Sequence, residues 1–337
     1  MLKRVLTPVL ILIPMLVALA EFNISGNILV RPRYNLLENF TMDDSLQSSD
    51  VDLYWLYRAR MDFKITVDNG YLVAAQLGHD SPVQLSIMGE PGQSRTDWIL
   101  AYAGKRFSRG ELYAGHIPLT YTPLLDLHNY PDLAANLPWL ALDHVSVTGI
   151  KGSLSLEKTG FRGFFALDED NSFQKIDSDS TTTWRDGFSC GVSQQLQLGN
   201  FKLEPQFYYS DNRTTCNGVT AGLSAQTVLA GFTIKATAGL TQAENDKYRG
   251  TLYHFEFFRK LGPGSLHFFH NYSPISYDGA DDVVTRFIWL DYTWNIMESD
   301  DGCVYVRPTW RWFKKDQGTV GYSVRNRFEL TLVMEVK

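Results

Sequence analysis

One segment of the sequence alternates between apolar and polar residues with a period of two. From Val51 to Val67 the odd-numbered residues are apolar or aromatic, and most even-numbered residues are polar or charged. Because successive side chains of a β-strand point to opposite faces, this pattern predicts a strand with one apolar and one polar face. Burying a polar face that carries Arg58, Arg60 and Lys64 would cost several kcal/mol per charge. The polar face therefore needs water, and the apolar face needs a different solvent.

The length of this strand distinguishes between two classes of β-protein. Strands of soluble sandwiches run about 5 to 6 residues, and their two sheets pack apolar face against apolar face. Longer strands with aromatic ends and one charged face are typical of transmembrane β-barrels, whose outside meets lipid and whose lumen holds water. Sixteen alternating segments can be counted after residue 21. The sequence therefore predicts an all-β fold, a closed antiparallel up-and-down transmembrane β-barrel of about 16 strands.

The connections between these segments alternate between short and long, as barrels of the outer membrane require. The short ones, such as 68–70, 199–200 and 230–231, are rich in the Gly and Asn that tight hairpins need. With the mature N-terminus in the periplasm, every short connection is periplasmic and every long one is external. The predicted long connections are 36–50, 80–97, 119–143, 169–183 and 273–282.

The N-terminus has the features of a secretory signal. A positive pair, Lys3 and Arg4, precedes an apolar stretch at 5–17, and Ala18-Leu19-Ala20 forms a small-residue cleavage site. We expect residues 1–20 to be a cleaved signal peptide and residues 21–337 to be one exported barrel domain. An uncleaved anchor helix is the disfavoured alternative, because the apolar stretch is short and interrupted by prolines.

The composition argues against several other classes of protein. After residue 20 no run of 18 apolar residues exists, which argues against ordinary transmembrane helices, while aromatic residues make up 13% of the chain and could supply interfacial girdles. The formal net charge of -6 gives no support for nucleic-acid binding. Cys190, Cys216 and Cys303 lack a C-x-x-C pair or a histidine at zinc spacing. We expect no metal site and no cofactor.

With this architecture the chain resembles the bacterial outer-membrane porins, over the signal peptide and all of residues 21–337. The segment from Ile28 to Tyr34, ILVRPRY, is similar to the opening of alginate-export and other anion-channel barrels, although no individual family is resolved. The resemblance implies a bacterial outer-membrane location, contact with lipid, and either a monomer or a homotrimer. One departure is the C-terminus. Such barrels usually end on an aromatic residue, whereas this chain ends on Lys337, with Phe328 as the nearest aromatic.

Assigning faces by alternation places eight arginines and one lysine inward on the first two and last two strands. Because the last strand of a closed barrel pairs with the first, these four strands are neighbours and their basic side chains share one wall. The predicted pore-lining residues are Arg31, Arg33, Arg58, Arg60, Lys64, Arg307, Arg311, Arg325 and Arg327. The aromatic residues predicted to face outward are Trp55, Phe63, Phe207, Phe255, Trp294 and Trp310.

A basic wall inside a barrel predicts a function. Rings and rows of charged side chains set the ion selectivity of pores, and guanidinium groups suit carboxylate and phosphate. We therefore expect a channel for passive diffusion of small hydrophilic, anionic solutes. The alternative is that the arginines pair with inward acids such as Glu204, Glu256, Asp291 and Glu329 and fill a plugged barrel. Such a barrel would have a structural or adhesive role carried by its external loops.

The connection 119–143 is the predicted pore-narrowing element. In general porins, which the chain resembles by loop order, the third external loop folds inward and sets the constriction. An acidic loop facing an arginine wall would create a transverse field across the pore. The alternative, an external flap, remains open. The constriction-loop residues would be Tyr121, Asp126, His128, Tyr130 and Asp132.

The sequence gives little support for an enzyme. The histidines at 79, 116, 254, 267 and 270 are scattered over separate predicted strands. A Ser-His-Asn lipase of the outer membrane would need them outward-facing beside a serine. His270 and Ser273 are the one nearby pair, and a position at the membrane interface accounts for them. We expect no enzymatic activity.

Overall fold

The computed structural model describes residues 20–80, 85–86, 95–118, 146–167, 188–212, 216–243, 248–277 and 281–337. In the first half of the chain the strands are β1 (Ala20–Phe40), β2 (Leu46–Val67), β3 (Tyr71–Asp80), β4 (Leu85–Ser86), β5 (Arg95–Phe107), β6 (Gly110–Pro118), β7 (Ser146–Leu156) and β8 (Thr159–Leu167). In the second half they are β9 (Phe188–Leu198), β10 (Phe201–Asn212), β11 (Cys216–Leu229), β12 (Phe232–Ala243), β13 (Tyr248–Leu261), β14 (Gly264–Tyr277), β15 (Val283–Ser299), β16 (Gly302–Asp316) and β17 (Tyr322–Val336).

The sheet closes on itself through the first and last strands. β1 pairs antiparallel with β2 along its whole length and with β17 from Gly26↔Val336 to Phe40↔Tyr322. Every other long strand pairs antiparallel with its neighbours in the chain, and the two-residue β4 adds a short pairing to β2. The prediction of a closed, up-and-down antiparallel barrel of 16 strands is confirmed. Within the described residues, no helix has the length and apolarity needed to span a membrane.

Solvent exposure alternates along the strands as the sequence pattern predicts. On β17 the exposed side chains are Phe328, Leu330, Leu332, Met334 and Val336. The buried side chains between them are Arg327, Glu329, Thr331 and Val333. A register slip of one residue would exchange these faces, so the alternation fixes the pairing register. The predicted outward orientation is confirmed at the four exposed aromatic residues Trp55, Phe207, Phe255 and Trp294.

The tight turns agree with the short connections predicted from the sequence. At the β11–β12 turn, Ala230 and Gly231 both have positive φ, at 50° and 79°. Two successive residues with positive φ are typical of the type I′ hairpin turn, whose twist matches that of the flanking strands. Residues 68–70 form a short 3-10 turn between β2 and β3, with Asn69 at a φ of 68°.

The prediction of a long connection at 36–50 is wrong. β1 and β2 stay paired as far as Phe40↔Leu46, which leaves only residues 41–45 as the turn. Beyond the membrane a hairpin is wet on both faces, so backbone pairing continues while the alternation of apolar and polar residues is lost. The predicted connection at 273–282 is also shorter than expected, because β14 runs to Tyr277 and β15 begins at Val283.

Several other predictions lie outside the described residues. These are the signal peptide up to residue 19, the whole connection 119–143 with its five candidate constriction residues, most of the connection 80–97, and all of the connection 169–183.

Candidate functional site: the basic inner wall

The inward-facing side chains of β16, β17, β1 and β2 form one surface, which we call the basic wall. All nine basic residues predicted to line the pore lie on these four strands, on the same face as the buried side chains of each strand. Three of the strands carry an Arg-x-Arg sequence, which places both arginines on one face. The register puts Arg327 opposite Arg311 on one side and Asn35 on the other. Their function as pore-lining residues stays a prediction.

Glu329 is the centre of the basic wall. Its carboxylate lies 2.5 Å from Nη2 of Arg311 and 3.9 Å from Nη1 of Arg31, and it accepts a hydrogen bond from Nε of Arg33. The Glu329 side chain is 0% exposed and that of Arg311 is 2% exposed. A buried carboxylate needs partners of this kind, because an unpaired buried charge costs several kcal/mol.

Tyr54 and Asn35 extend this network onto β2 and β1. Nη1 of Arg33 and Nδ2 of Asn35 each donate a hydrogen bond of 3.0 Å to the Tyr54 hydroxyl oxygen. Arg327 in turn donates through Nε to the Asn35 side-chain oxygen. Tyr54 is 1% exposed. The network therefore fixes the orientation of two arginines through neutral partners.

Arg31 lies at the edge of this network, next to further arginines. Its Nε donates a 2.9 Å hydrogen bond to the hydroxyl of Thr331. It is also close enough to Arg33, Arg58 and Arg307 for charge–charge repulsion. At this point the pairing of β1 with β17 is interrupted across Arg31 and Pro32, because a proline has no N–H to donate to the ladder.

A second polar group on the inner face, which we call the histidine cluster, consists of His254, Glu256, His267 and Asp291 on β13 to β15. The ring of His267 joins the two acids, with Nε2 3.1 Å from Glu256 and Nδ1 3.3 Å from Asp291. His254 lies 3.5 Å from Glu256. Nζ of Lys235 also lies 3.1 Å from Glu256. Within the described ranges, no group of three or more His, Cys, Asp and Glu side chains is arranged to hold a metal ion.

Trp289 connects the histidine cluster to the basic wall. Its indole Nε1 donates to Asp291, and the guanidinium of Arg311 lies 3.6 Å from the centroid of its ring. Trp289 also stacks on Phe269 and makes an edge contact with Phe287. All three rings are buried. The result is a continuous buried belt of paired charges and aromatic rings from β13 to β2.

Sequence reasoning missed the histidine cluster and the aromatic rings. The inward orientation of His254 and Glu256 follows from alternation, but contact between His267 and Asp291 depends on the register of β14 against β15, which no local pattern encodes. The stretch from Phe287 to Trp289 is apolar on both faces, so periodicity alone does not assign its sides.

The basic wall has a buried part and a partly exposed part. Three of its arginines are buried, namely Arg33, Arg311 and Arg327. Their burial agrees with the alternative in which the arginines pair with inward acids. The other six residues remain partly exposed, namely Arg31, Arg58, Arg60, Lys64, Arg307 and Arg325. The first group can hold the wall in place, and the second can act on a solute in the lumen.

No protein-family model matches this chain, and no curated protein matches its sequence. Solved structures do match its fold. OmpT, an outer membrane protein of Vibrio cholerae, superimposes with a TM-score of 0.61 at 10% identity over 94% of this chain and 98% of that one. The chain has a porin-like β-barrel fold. Salmonella typhi OmpF matches with a TM-score of 0.60 at 12% identity, over 93% of this chain and 97% of that one.

The outer membrane channel DcaP of Acinetobacter baumannii shares the same porin-like fold. Its TM-score is 0.58 at 12% identity, over 94% of this chain and 98% of that one. At identities this low the likeness concerns the path of the backbone alone. The function of the porin-like barrel therefore has to be argued from its own side chains.

Proposed function

We propose that the protein is a bacterial outer-membrane channel for the passive diffusion of small hydrophilic anions, with the basic wall as its selective surface. Its porin-like fold and its exposed apolar outer face support placement in the outer membrane. The cleaved signal peptide at residues 1–20 belongs to the same proposal, because an outer-membrane barrel must be exported.

The observation that carries this proposal is the concentration of nine basic side chains on four neighbouring strands, six of them partly exposed. One carboxylate is shared by Arg31, Arg33 and Arg311, while further cations on the same wall are only partly buried. We infer that these partly exposed cations give the wall a positive field on the side of the lumen. Such a field lowers the energy of an anion within about 8–10 Å at ordinary ionic strength, and acts more strongly where the pore is narrow.

The hydrogen-bond partners of the histidine cluster favour a structural role in a channel over a role in catalysis. Within the described residues, His267 has carboxylates as its hydrogen-bond partners and His254 has the side chain of Asn271. Neither histidine is hydrogen-bonded to a hydroxyl or thiol there, as nucleophilic catalysis would require. We therefore infer that the histidine cluster is not a catalytic site, and we propose a channel without enzymatic activity.

The plugged structural barrel is a second candidate, favoured by one observation. Phe269, Phe287 and Trp289 are buried on the inner face, and the acids Glu204, Glu256 and Glu329 have basic partners there. An inner wall filled in this way also stiffens a channel. A measurement of conductance separates the two functions.

The test is electrical. Purified protein in a planar lipid bilayer should conduct, and in a salt gradient the reversal potential should show a preference for anions. Replacing Arg58, Arg60 and Arg307 with Ser should shift the reversal potential toward cations, because partly exposed residues on a wet wall tolerate polar substitution. Arg259→Ser is the matched control, since Arg259 is exposed on the outward face of β13. A protein that never conducts supports the plugged barrel, and a cation preference with all arginines intact contradicts anion selectivity.

The assembly state belongs to the proposal as well. A trimer form is described for OmpT of Vibrio cholerae. We infer a homotrimer for this chain, with the apolar outer face as the surface between copies. Native mass spectrometry of detergent-extracted protein should show a mass of three chains, and a monomer alone would contradict this.

A further inference from the structure

Two cations lie side by side on the outward face of the barrel, on β15 and β16. Arg286 pairs directly with Lys314 in the register of these strands. Arg286 lies between the buried Thr285 and Phe287, so its side chain points outward. Lys314 shares this face, because directly opposed residues of neighbouring strands lie on the same side of a sheet. Arg286 is exposed and Lys314 is partly exposed. Like charges in this arrangement are destabilising unless an anion accompanies them.

Among the residues that the structure describes, neither of these cations forms an ion pair with a carboxylate. Each is instead placed over an aromatic ring. The guanidinium of Arg286 lies 5.6 Å from the ring centroid of Tyr272, and Nζ of Lys314 lies 3.8 Å from that of Tyr322. Asp316, two residues beyond Lys314, accepts a hydrogen bond from a backbone N–H of the following turn. The tyrosine rings orient the two cations without supplying a negative charge.

The pair lies at the edge of the apolar band that the predicted topology places on the external side. On β15, Trp294 is exposed near the opposite end of the strand, eight residues after Arg286. A strand that rises about 3.3 Å per residue and tilts by about 40° climbs about 20 Å over this distance, which is close to the ~25 Å height of the apolar band. Long basic side chains at this height reach the lipid headgroups.

An open apolar groove crosses the outward face on the membrane side of this pair. It has a volume of about 600 Å³. Its lining includes Leu290 and Trp310, each of which lies four residues from one of the two cations on the same strand. The groove and the cations are therefore parts of one surface, separated by about 10 Å in height. The other apolar lining residues include Pro32, Tyr34, Leu53, Pro308, Phe328 and Leu330.

We propose that Arg286, Lys314 and the groove form a binding site for a phosphate-bearing lipid of the external leaflet. Its phosphate lies on the two cations, and one acyl chain lies in the groove. Guanidinium binds phosphate oxygens through two parallel hydrogen bonds, and ammonium binds them as a point charge. Charge complementarity favours a lipid over a second copy of this chain, because one lipid molecule supplies both the anion and the apolar chain. This inference goes beyond the proposed transport function and does not depend on conduction.

Dioleoyl phosphatidic acid and dioleoyl phosphatidylcholine are matched probes, because their acyl chains are identical and only the first has an unblocked phosphate. In native mass spectrometry of delipidated protein in detergent, phosphatidic acid should bind at concentrations at least about fivefold lower than phosphatidylcholine. The double variant Arg286→Gln, Lys314→Gln should lose this preference. The control Lys105→Gln, Arg259→Gln should keep it, because it removes two cations that also lie over aromatic rings but are on separate strands, β5 and β13.

The variant Leu290→Trp tests the groove, because its larger side chain occupies space that the acyl chain needs. It should weaken the binding of both lipids and keep the preference between them. Equal binding of the two lipids by the unaltered protein, or a preference that survives in the Arg286 and Lys314 double variant, overturns the site whether or not the barrel conducts. A Leu290→Trp protein that loses its oligomeric state and keeps its lipid binding shows a second copy in the groove, which also overturns the proposal.

Discussion

Nη2 of Arg311 lies 2.5 Å from a carboxylate oxygen of Glu329, and both side chains are buried on the inner face of the barrel. The same guanidinium packs on the ring of Trp289, which donates a hydrogen bond to Asp291. The contact between Arg311 and Trp289 therefore joins the basic wall to the histidine cluster. We expect substitution of Arg311 to destabilise the barrel more than substitution of the partly exposed arginines does.

The substitution Glu329→Gln should destabilise the barrel by about 3–5 kcal/mol, because it leaves buried guanidinium groups without their shared counter-charge. Urea unfolding in lipid vesicles, followed by tryptophan fluorescence, measures this loss. Glu335→Gln is the control, since Glu335 is half-buried near the end of the same strand and its loss should change stability by less than about 1 kcal/mol. Equal stabilities of the two variants would contradict the central role of Glu329.

Gly191 on β9 makes room for two aromatic rings. A Cβ at this position would overlap the rings of Tyr208 and Phe164, whereas a Cβ at Gly163 would meet its nearest neighbour, the carbonyl oxygen of Gly191, at 3.4 Å. Gly191→Ala should therefore cost about 1–3 kcal/mol through overpacking. Gly163→Ala should be close to neutral. Thermal unfolding of the two variants distinguishes them, and a fully stable Gly191→Ala barrel would show that the rings can move aside.

Alternation along single strands was sufficient to predict the architecture. It separated Arg327 and Glu329 from Phe328 on β17, and together with closure of the barrel it grouped the arginines of four strands. Each of these steps uses only the period of two and the pairing of the first and last strands. The period of two is local to each strand, and the pairing of the first and last strands follows from closure of the barrel.

The partners of those side chains could not be predicted in the same way. The contact between Arg33 and Glu329 joins residues 296 positions apart, and it depends on how far β1 is shifted along β17. The ends of β1 and β2 were also misplaced, because a hairpin exposed to water on both sides no longer has to alternate. Register and strand ends are set by interactions between segments rather than within them.

The turn after β16 is held by a hydrogen-bonded carboxylate. The hydroxyl of Thr319 donates to Asp281, as does its backbone N–H at 2.8 Å, and these bonds hold the pKa of Asp281 below its usual value. A lowered pKa means that this stabilisation is complete above the unfolded value of about 3.9 and is lost as the pH falls through the folded value.

Amide hydrogen exchange at Thr319, corrected for intrinsic rates, should therefore show protection at neutral pH that decreases as the solution is acidified below about pH 4. Asp281→Asn should show low protection already at neutral pH, with little further change on acidification. Asp282→Asn removes the same charge one residue away and should behave as the unaltered protein does. Unchanged protection in Asp281→Asn would contradict the role of this carboxylate.

An added charge should destabilise the barrel on its outward face and be tolerated on its inward face. Leu330, in the middle of β17, is 51% exposed on the outward face, so Leu330→Lys should cost about 2–4 kcal/mol at the bilayer midplane. Gln76 faces inward on β3, and its Nε2 donates a 2.7 Å hydrogen bond to Asp62. Gln76→Lys places the new ammonium beside that carboxylate in a wet lumen, so it should be tolerated. Folding into lipid vesicles, titrated with urea, measures both costs. Equal losses in the two variants would mean that the outward and inward faces are wrongly assigned.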